Sequence, residues 1–226
     1  MRLAHLLHHS AQPATAHGVT IGTPGHYDVF TNLFFLGRRK GAYQALVRAA
    51  GVAPGQRVLD VGCGTGYFAR LLAEAVGATG HVVGIDAAPE MVEYATQHAR
   101  HIPSCEFQVG TAEALAFPAA HFDVVVSSLF MHHLPQPLQS VAIAEMLRVL
   151  APGGTLLVAD MRVPNGLGWR LLAGLIGATG MERNAQRLES LVTSSGSVTD
   201  HETSEAVPWM RYVRAVKSSN NRPNLS

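Results

Sequence analysis

Between Gln56 and about Asp160, short apolar runs alternate with stretches of helical period. "RVLDVG", from Arg57, predicts a strand, and the helix after it has Phe68, Leu71, Leu72 and Ala75 on one face. "HVVGID" predicts the second strand, and Pro89 to Arg100 the next helix, with proline in its first turn, where a missing amide costs nothing. "CEFQVG" and "FDVVVSSLF" follow as strands, then a helix carrying Ile143, Met146, Leu147 and Leu150, then "GTLLVAD". The runs "DVVV" and "TLLVA" are apolar on both sides, as strands covered by helices on both faces should be.

Outside this alternation, His26 to Ala50 mixes aromatic and aliphatic residues at helical spacing and predicts two helices that cap the domain. Residues 166–195 also read as helical, with Leu188, Leu191 and Val192 spaced for one buried face. "SGSVTDHE" and "AVPWMRYVRAVK" predict two closing strands, a hairpin at the sheet edge. The expected fold class is therefore α/β: a doubly wound, seven-stranded, mostly parallel sheet with helices on both faces and ligands at the carboxyl ends of its strands.

Composition narrows this further. The 226 residues accommodate one domain, expected over residues 25–217 with residues 25–50 as its cap; a loose arm (1–24) precedes it and a polar tail (218–226) follows. Seventeen basic against 16 acidic side chains give no net field for phosphate neutralisation, which argues against a nucleic-acid partner. Cys63 and Cys105 are too few for a disulfide framework, so a reducing cytoplasm is expected. "MRLAHLLHHSAQ" has neither a signal-peptide core nor a span of about 20 apolar residues. His5, His8 and His9 have helical spacing but read as part of the solvated arm, and no metal site is expected.

The chemistry concentrates in "RVLDVGCGTGYF". Gly62, Gly64 and Gly66 permit a sharp turn out of the strand and close approach of a ligand to the backbone. A dinucleotide loop wants a third glycine at position 67, which here is Tyr67. Asp60 ends the strand just ahead of the loop; its carboxylate would repel a pyrophosphate and attract an ammonium or sulfonium. Asp86 ends the next strand, where a carboxylate can accept hydrogen bonds from ribose hydroxyls. Together the two acids point to a positively charged nucleoside.

At these residues the chain resembles the class I S-adenosylmethionine-dependent methyltransferases, in particular the small-molecule group that includes the ubiquinone and menaquinone biosynthesis methyltransferases. The resemblance covers about Gly51 to Asp160 and rests on "VLDVGCGTG", "VVGIDAAPEMV", "GTAEALAFPAAHFDVVVSSLFMHHL" and "EMLRVLAPGGTLLVAD" in family order. It implies S-adenosyl-L-methionine as cofactor and S-adenosyl-L-homocysteine as product. Asp60, Gly62, Cys63, Gly64, Thr65 and Gly66 would surround the methionine part, Asp86 would hold the ribose, and Ala87 and Met91 would flank the adenine. Thr111, Ala112 and Glu113 match the loop that meets the adenine amino group; many relatives carry Asp where Thr111 stands, and a threonine hydroxyl or neighbouring carbonyl can accept the same bond. Ser127 and Leu129 match positions lining the methionine, and "HYDVF" resembles a segment that brings an aromatic, here Tyr27, to the sulfonium.

Methyl transfer is an in-line displacement that needs the acceptor positioned and, for an O- or N-acceptor, a base. "FMHHLP" puts His132 and His133 at the expected mouth of the site as base or orienting groups. Tyr27, Phe30, Phe34, Phe35, Trp169, Leu171 and Leu172 are candidates for an apolar lid. The loop after the fourth strand reads Ser127, Ser128, Leu129, Phe130, unlike the Asn/Asp-Pro-Pro-aromatic loop of nucleic-acid amine methyltransferases of this fold. A small, apolar metabolite is the expected acceptor, for an enzyme that is a monomer or homodimer with no membrane span. The alternatives are an NAD-dependent oxidoreductase and a non-catalytic cofactor-binding module.

Overall fold

The structure, a computed structural model, describes residues 24, 25, 28, 31, 32, 35, 37–162 and 187–219. The readings at His5, His8, His9, Tyr27, Phe30, Phe34, Trp169, Leu171 and Leu172, and those for the arm and most of the tail, lie outside these residues.

A helix α1 (Arg39–Ala49) leads into an alternating series: β1 (Arg57–Val61), α2 (Tyr67–Val76), β2 (His81–Asp86), α3 (Pro89–Ala99), β3 (Cys105–Val109) and β4 (Phe122–Ser128). A 3₁₀ turn (Met131–His133), α4 (Gln136–Val149), β5 (Leu150–Met161), β6 (Val198–Val207) and β7 (Met210–Lys217) complete the described elements. The seven strands form one sheet in the order β3-β2-β1-β4-β5-β7-β6. β1 to β5 pair in parallel, whereas β7 runs antiparallel to both β5 and β6. The expected hairpin is thus present, with β6 on the edge. The strand order reverses between β1 and β4, and at such a point the loops diverge and leave a crevice above the carboxyl ends.

Strand alternation sorts the core into two layers. Leu59, Val61, Val125, Leu156 and Val158 face α4, where Ile143 and Met146 are buried; Val58, Val124, Val126, Leu157 and Ala159 face α1 and α2. Burial of side chains this size is worth about 1.5–3 kcal/mol each, so the two layers supply most of what holds the strand ends in place. In α1, Tyr43 meets Phe68 edge-on at 5.2 Å, and Phe35 lies between Tyr43 and Trp209 of the β6–β7 turn. At the positions described, the segment ahead of the sheet thus packs on α2 and on the β6–β7 turn. Residues 24, 25, 28, 31 and 32 are helical, in keeping with the expected helix ahead of α1.

Two local expectations need correcting. Leu150 is the first residue of β5 and not the last of α4: it is fully buried and pairs with Phe122, with a register shift before Val124. Its apolar side chain continues the helical period, but its backbone turns extended to begin a strand. On α2, Ala75 is only half-buried while Ala69, Ala73 and Val76 join Phe68, Leu71 and Leu72 inside, because α2 packs on α1 as well as on the sheet. At residues 187–193 the chain is helical, with Leu188 and Val192 buried as expected. No helix among the described residues is long and apolar enough to cross a membrane.

Candidate active site at the carboxyl ends of the strands

The loop after β1 is shaped by three left-handed glycines, Gly62, Gly64 and Gly66, at φ 73°, 53° and 72°. Residues with a Cβ pay heavily for that conformation, which is why this turn takes glycine. The amides of Gly62 and Cys63 both donate to the Ile85 carbonyl at 2.9 Å, and the Gly66 amide donates to the Cys63 carbonyl at 2.9 Å. At Gly62 and Gly66 the space that the missing side chain leaves is filled by a protein ring. A Cβ on Gly62 would stand 2.2 Å from Cγ of Phe130, and one on Gly66 would stand 2.6 Å from Cζ of Phe107. At these two positions the absent Cβ admits a packed aromatic; close approach of a ligand was the expectation. The Phe130 contact also draws the loop after β4 onto the glycine loop.

Asp86 ties the same loop to β2, its Oδ2 accepting from the Gly64 amide and its Oδ1 from the Ala88 amide, both at 2.9 Å. Burial pushes its carboxyl above the usual range, and these amides pull it back. Asp60 is different: it is 1% exposed, and neither carboxylate oxygen has a hydrogen-bond partner. Burial, and after it the negative charge of Asp86, push its pKa up to about 8; the Ala69 amide in the first turn of α2 pulls the other way without closing a hydrogen bond. A buried acid with both oxygens unpaired is costly unless it is protonated or faces a cation. The arrangement therefore suits a positively charged ligand group and disfavours a pyrophosphate.

The remaining loops gather around this pair. Ala87 is half-buried and Met91 buried at the start of α3. Thr111, Ala112 and Glu113 follow β3 in a turn closed by the Ala114 amide on the Thr111 carbonyl; Ala112 is buried and the other two half-buried. That turn is stapled to α4: Glu145 accepts the Leu115 amide at 2.9 Å, and Arg148 donates to the Leu115 and Phe117 carbonyls at 2.8 Å each. At the end of β4, Ser127 is fully buried with its hydroxyl unpartnered. Leu129 adopts φ 54°, a strained value for a side chain of this size. The Cys63 and Cys105 thiols are free and buried, and burial raises both, that of Cys105 to about 12, so neither is a ready nucleophile.

The two histidines sit in the 3₁₀ turn, which Gln139 of α4 holds by donating to the Met131 and Leu134 carbonyls at 3.0 and 3.2 Å. They have unlike surroundings. His132 Nδ1 is 2.6 Å from Oδ1 of Asp160, the acid near the end of β5, and its backbone amide donates to Oδ2 at 3.0 Å. With the carboxylate accepting there, Nδ1 carries the proton in the neutral ring and Nε2 presents a lone pair. His133 packs against His132, ring centroids 4.0 Å apart. Burial above all, and then the neighbouring imidazole, hold His133 down at about 4, so its ring is neutral at physiological pH.

Residues 58–154 match the family described as Methyltransferase domain. These residues form a methyltransferase domain. The chain is 31% identical over 150 residues to the ubiquinone/menaquinone biosynthesis C-methyltransferase of Shewanella pealeana, covering 65% of this chain and 59% of that protein. It is 44% identical over 107 residues to the 2-methyl-6-phytyl-1,4-hydroquinone methyltransferase of Synechocystis, covering 47% of this chain and 32% of that one. The chain thus spans about a third to three fifths of the length of these curated relatives. Among solved structures, a SAM dependent methyltransferase from Aquifex aeolicus superposes with a TM-score of 0.62 at 21% identity, over 80% of this chain and 93% of its own, which supports the fold.

Within the methyltransferase domain and its flanks, sequence reasoning missed Asp160, Phe130 and Phe107, and a cluster around Asp28. Asp160 carried the same signal as Asp60 and Asp86, an acid at the end of an apolar strand, in "LLVAD". The rings over the glycines had no comparable signal, since each pair joins elements far apart in the chain. Tyr27, expected beside the cofactor, lies outside the described residues.

Proposed function

We propose that the chain transfers a methyl group from S-adenosyl-L-methionine to a small, largely apolar acceptor bearing an ionisable hydroxyl on an aromatic ring. The observation that carries the cofactor part is Asp60: a buried carboxyl with both oxygens unpartnered, directly ahead of a left-handed glycine loop. Bound there, S-adenosylmethionine supplies an electrophilic methyl carbon on a sulfonium. Asp60 ionises against that positive charge and the adjoining ammonium, which offsets the desolvation that otherwise keeps it protonated. Asp86 keeps its grip on the Gly64 amide and accepts the ribose hydroxyls on its remaining lone pairs. Gly62, Cys63, Gly64, Thr65, Gly66, Ser127 and Leu129 enclose the methionine end. Ala87 and Met91 flank the adenine, whose amino group meets Thr111, Ala112 and Glu113.

The acceptor class rests on two supports. The relatives are named for methylation in ubiquinone and menaquinone biosynthesis and of a hydroquinone. His132, backed by Asp160, has the arrangement of a general base. The hydroxyl proton passes to Nε2, and Asp160 stabilises the imidazolium. The electron pair left on the acceptor would raise the density on its oxygen and ring carbons, either of which could take the methyl group that the bound cofactor would supply; a methylated ring carbon would then release its own proton to solvent to restore the aromatic ring. His133 remains neutral and limits rotation of the His132 ring. Residues 25–50 serve as the cap over the acceptor, and two free thiols fit a reducing, cytoplasmic setting.

Calorimetry with S-adenosylmethionine, S-adenosylhomocysteine and NAD, followed by turnover on a panel of hydroquinones, catechols and amines, tests this reading. Micromolar binding of the first two and methylation of a phenolic acceptor are expected. Binding of NAD alone would restore the oxidoreductase; cofactor binding with no turnover on any acceptor class would favour a non-catalytic module.

A further inference from the structure

Asp28, ahead of α1, lies outside the matched domain but touches its glycine loop. Its Oδ1 accepts the Thr65 hydroxyl and a guanidinium N–H of Arg39, both at 2.8 Å, and its Oδ2 accepts the Tyr94 hydroxyl of α3 at 3.3 Å. Thr65 is 1% exposed, and its carbonyl accepts Nη1 of Arg70 at 2.9 Å, so the residue is held at both ends. Arg39 is buried, with its guanidinium carbon 3.9 Å above the Tyr67 ring, directly after the loop. One carboxylate thus joins the cap, the loop and α3.

The position of Thr65 gives this bond its weight. It stands between Gly64 and Gly66, both left-handed, and it is the one residue of that triplet with a side chain to anchor. Glycines sample far more backbone conformations than other residues, so the stretch between two of them keeps its shape only through outside restraint. The Gly66 amide that closes the turn lies in the peptide plane that Thr65 shares with Gly66, and the Gly64 amide that meets Asp86 lies one plane upstream, separated from Thr65 only by the torsions of Gly64. We infer that Asp28 is a positioning residue for the glycine loop: by accepting the Thr65 hydroxyl it fixes the loop's amides and thereby sets the affinity of the cofactor site. The part concerning affinity rests on the reading of this loop as the seat of S-adenosylmethionine.

Thr65→Val removes the hydroxyl with little change in volume, and Asp28→Ala removes its acceptor; the double variant and Thr65→Ser complete the set. In the ligand-free full chain, amide hydrogen exchange at Gly64 and Gly66 should quicken about 10-fold in either single variant, with β4 and β5 unaffected and Thr65→Ser close to wild type. The dissociation constant for S-adenosylmethionine should rise about 10-fold in each, and the double variant should be no worse than the weaker-binding single, since the bond that Thr65→Val breaks is already lost in Asp28→Ala. Unchanged exchange in Thr65→Val overturns the assignment. Faster exchange with unaltered affinity, or additive losses in the double variant, overturns the link to binding. A wild-type chain that binds no S-adenosylmethionine instead refutes the cofactor reading, while the exchange comparison still decides whether Asp28 holds the loop.

Discussion

Asp160 grips His132 at two places, the ring Nδ1 at 2.6 Å and the backbone amide at 3.0 Å, so a carboxylate on β5 fixes both where the imidazole sits and which nitrogen faces away. A third donor, the Met161 amide at 2.7 Å, completes its environment. Fully satisfied buried carboxylates of this kind orient a base; they do not take the proton themselves.

His132→Ala is therefore expected to lower kcat by about 10²–10⁴-fold while leaving the cofactor dissociation constant nearly unchanged. Asp160→Asn should lower kcat by a smaller factor, because the ring stays in place but loses its charge partner. Steady-state kinetics on a phenolic acceptor, paired with calorimetry, checks both. A His132→Ala enzyme with wild-type turnover would leave the pair a structural role only.

The unpartnered Asp60 has a consequence for stability. Its folded pKa, about 8, lies above the unfolded value of 3.8, so between those limits the folded chain keeps a proton that the unfolded chain has lost. The stability linked to that proton is fully present below pH 3.8 and is lost as pH rises towards 8. Asp60→Asn removes the titration, and the ligand-free variant should exceed wild type by about 1–3 kcal/mol at pH 8, with little difference at pH 4. Urea unfolding at the two pH values reads this directly. The same variant should bind S-adenosylmethionine more weakly, a trade of affinity for stability.

Cofactor binding should also move a proton. Near pH 7 a cationic ligand that ionises Asp60 expels the proton held there, so association should release up to one proton and strengthen as pH approaches 8. Calorimetry at pH 7 in two buffers of different ionisation enthalpy measures it. Equal apparent enthalpies in the two buffers would mean that Asp60 keeps its proton and does not face the charge.

Much of this site was legible because its acids close apolar strands. In "VLDVG" and "VVGID" a charged residue interrupts a run whose burial is otherwise complete, and such an interruption needs a reason. The glycine spacing was legible as a turn but not as packing. Nothing near Gly62 in the chain specifies Phe130, and nothing near Gly66 specifies Phe107; those pairs arise when β4 and β3 are laid beside β1 and β2. Leu150 misled for a related reason: an apolar residue in helical register is also a fit first residue for a buried strand, and only its pairing with Phe122 separates the two. The Asp28 cluster was beyond reach because it draws on four separate segments.

Gly66 offers a stringent test of the packing account. Two separable penalties meet a methyl group there: the left-handed backbone at φ 72°, and overlap with Cζ of Phe107 at 2.6 Å and Cβ of Ala95 at 2.8 Å. The first costs about 1–2 kcal/mol for a residue with a Cβ, and the second about 1–3 kcal/mol if the ring must shift. Gly66→Ala should therefore destabilise the chain by about 2–5 kcal/mol, measured by urea unfolding. Phe107→Leu alone should cost about 1 kcal/mol for the shrunken side chain, yet in the Gly66→Ala background it should recover part of the loss by making room for the methyl. Strictly additive losses across the four proteins would show that the ring yields freely and that backbone strain alone requires glycine at this position.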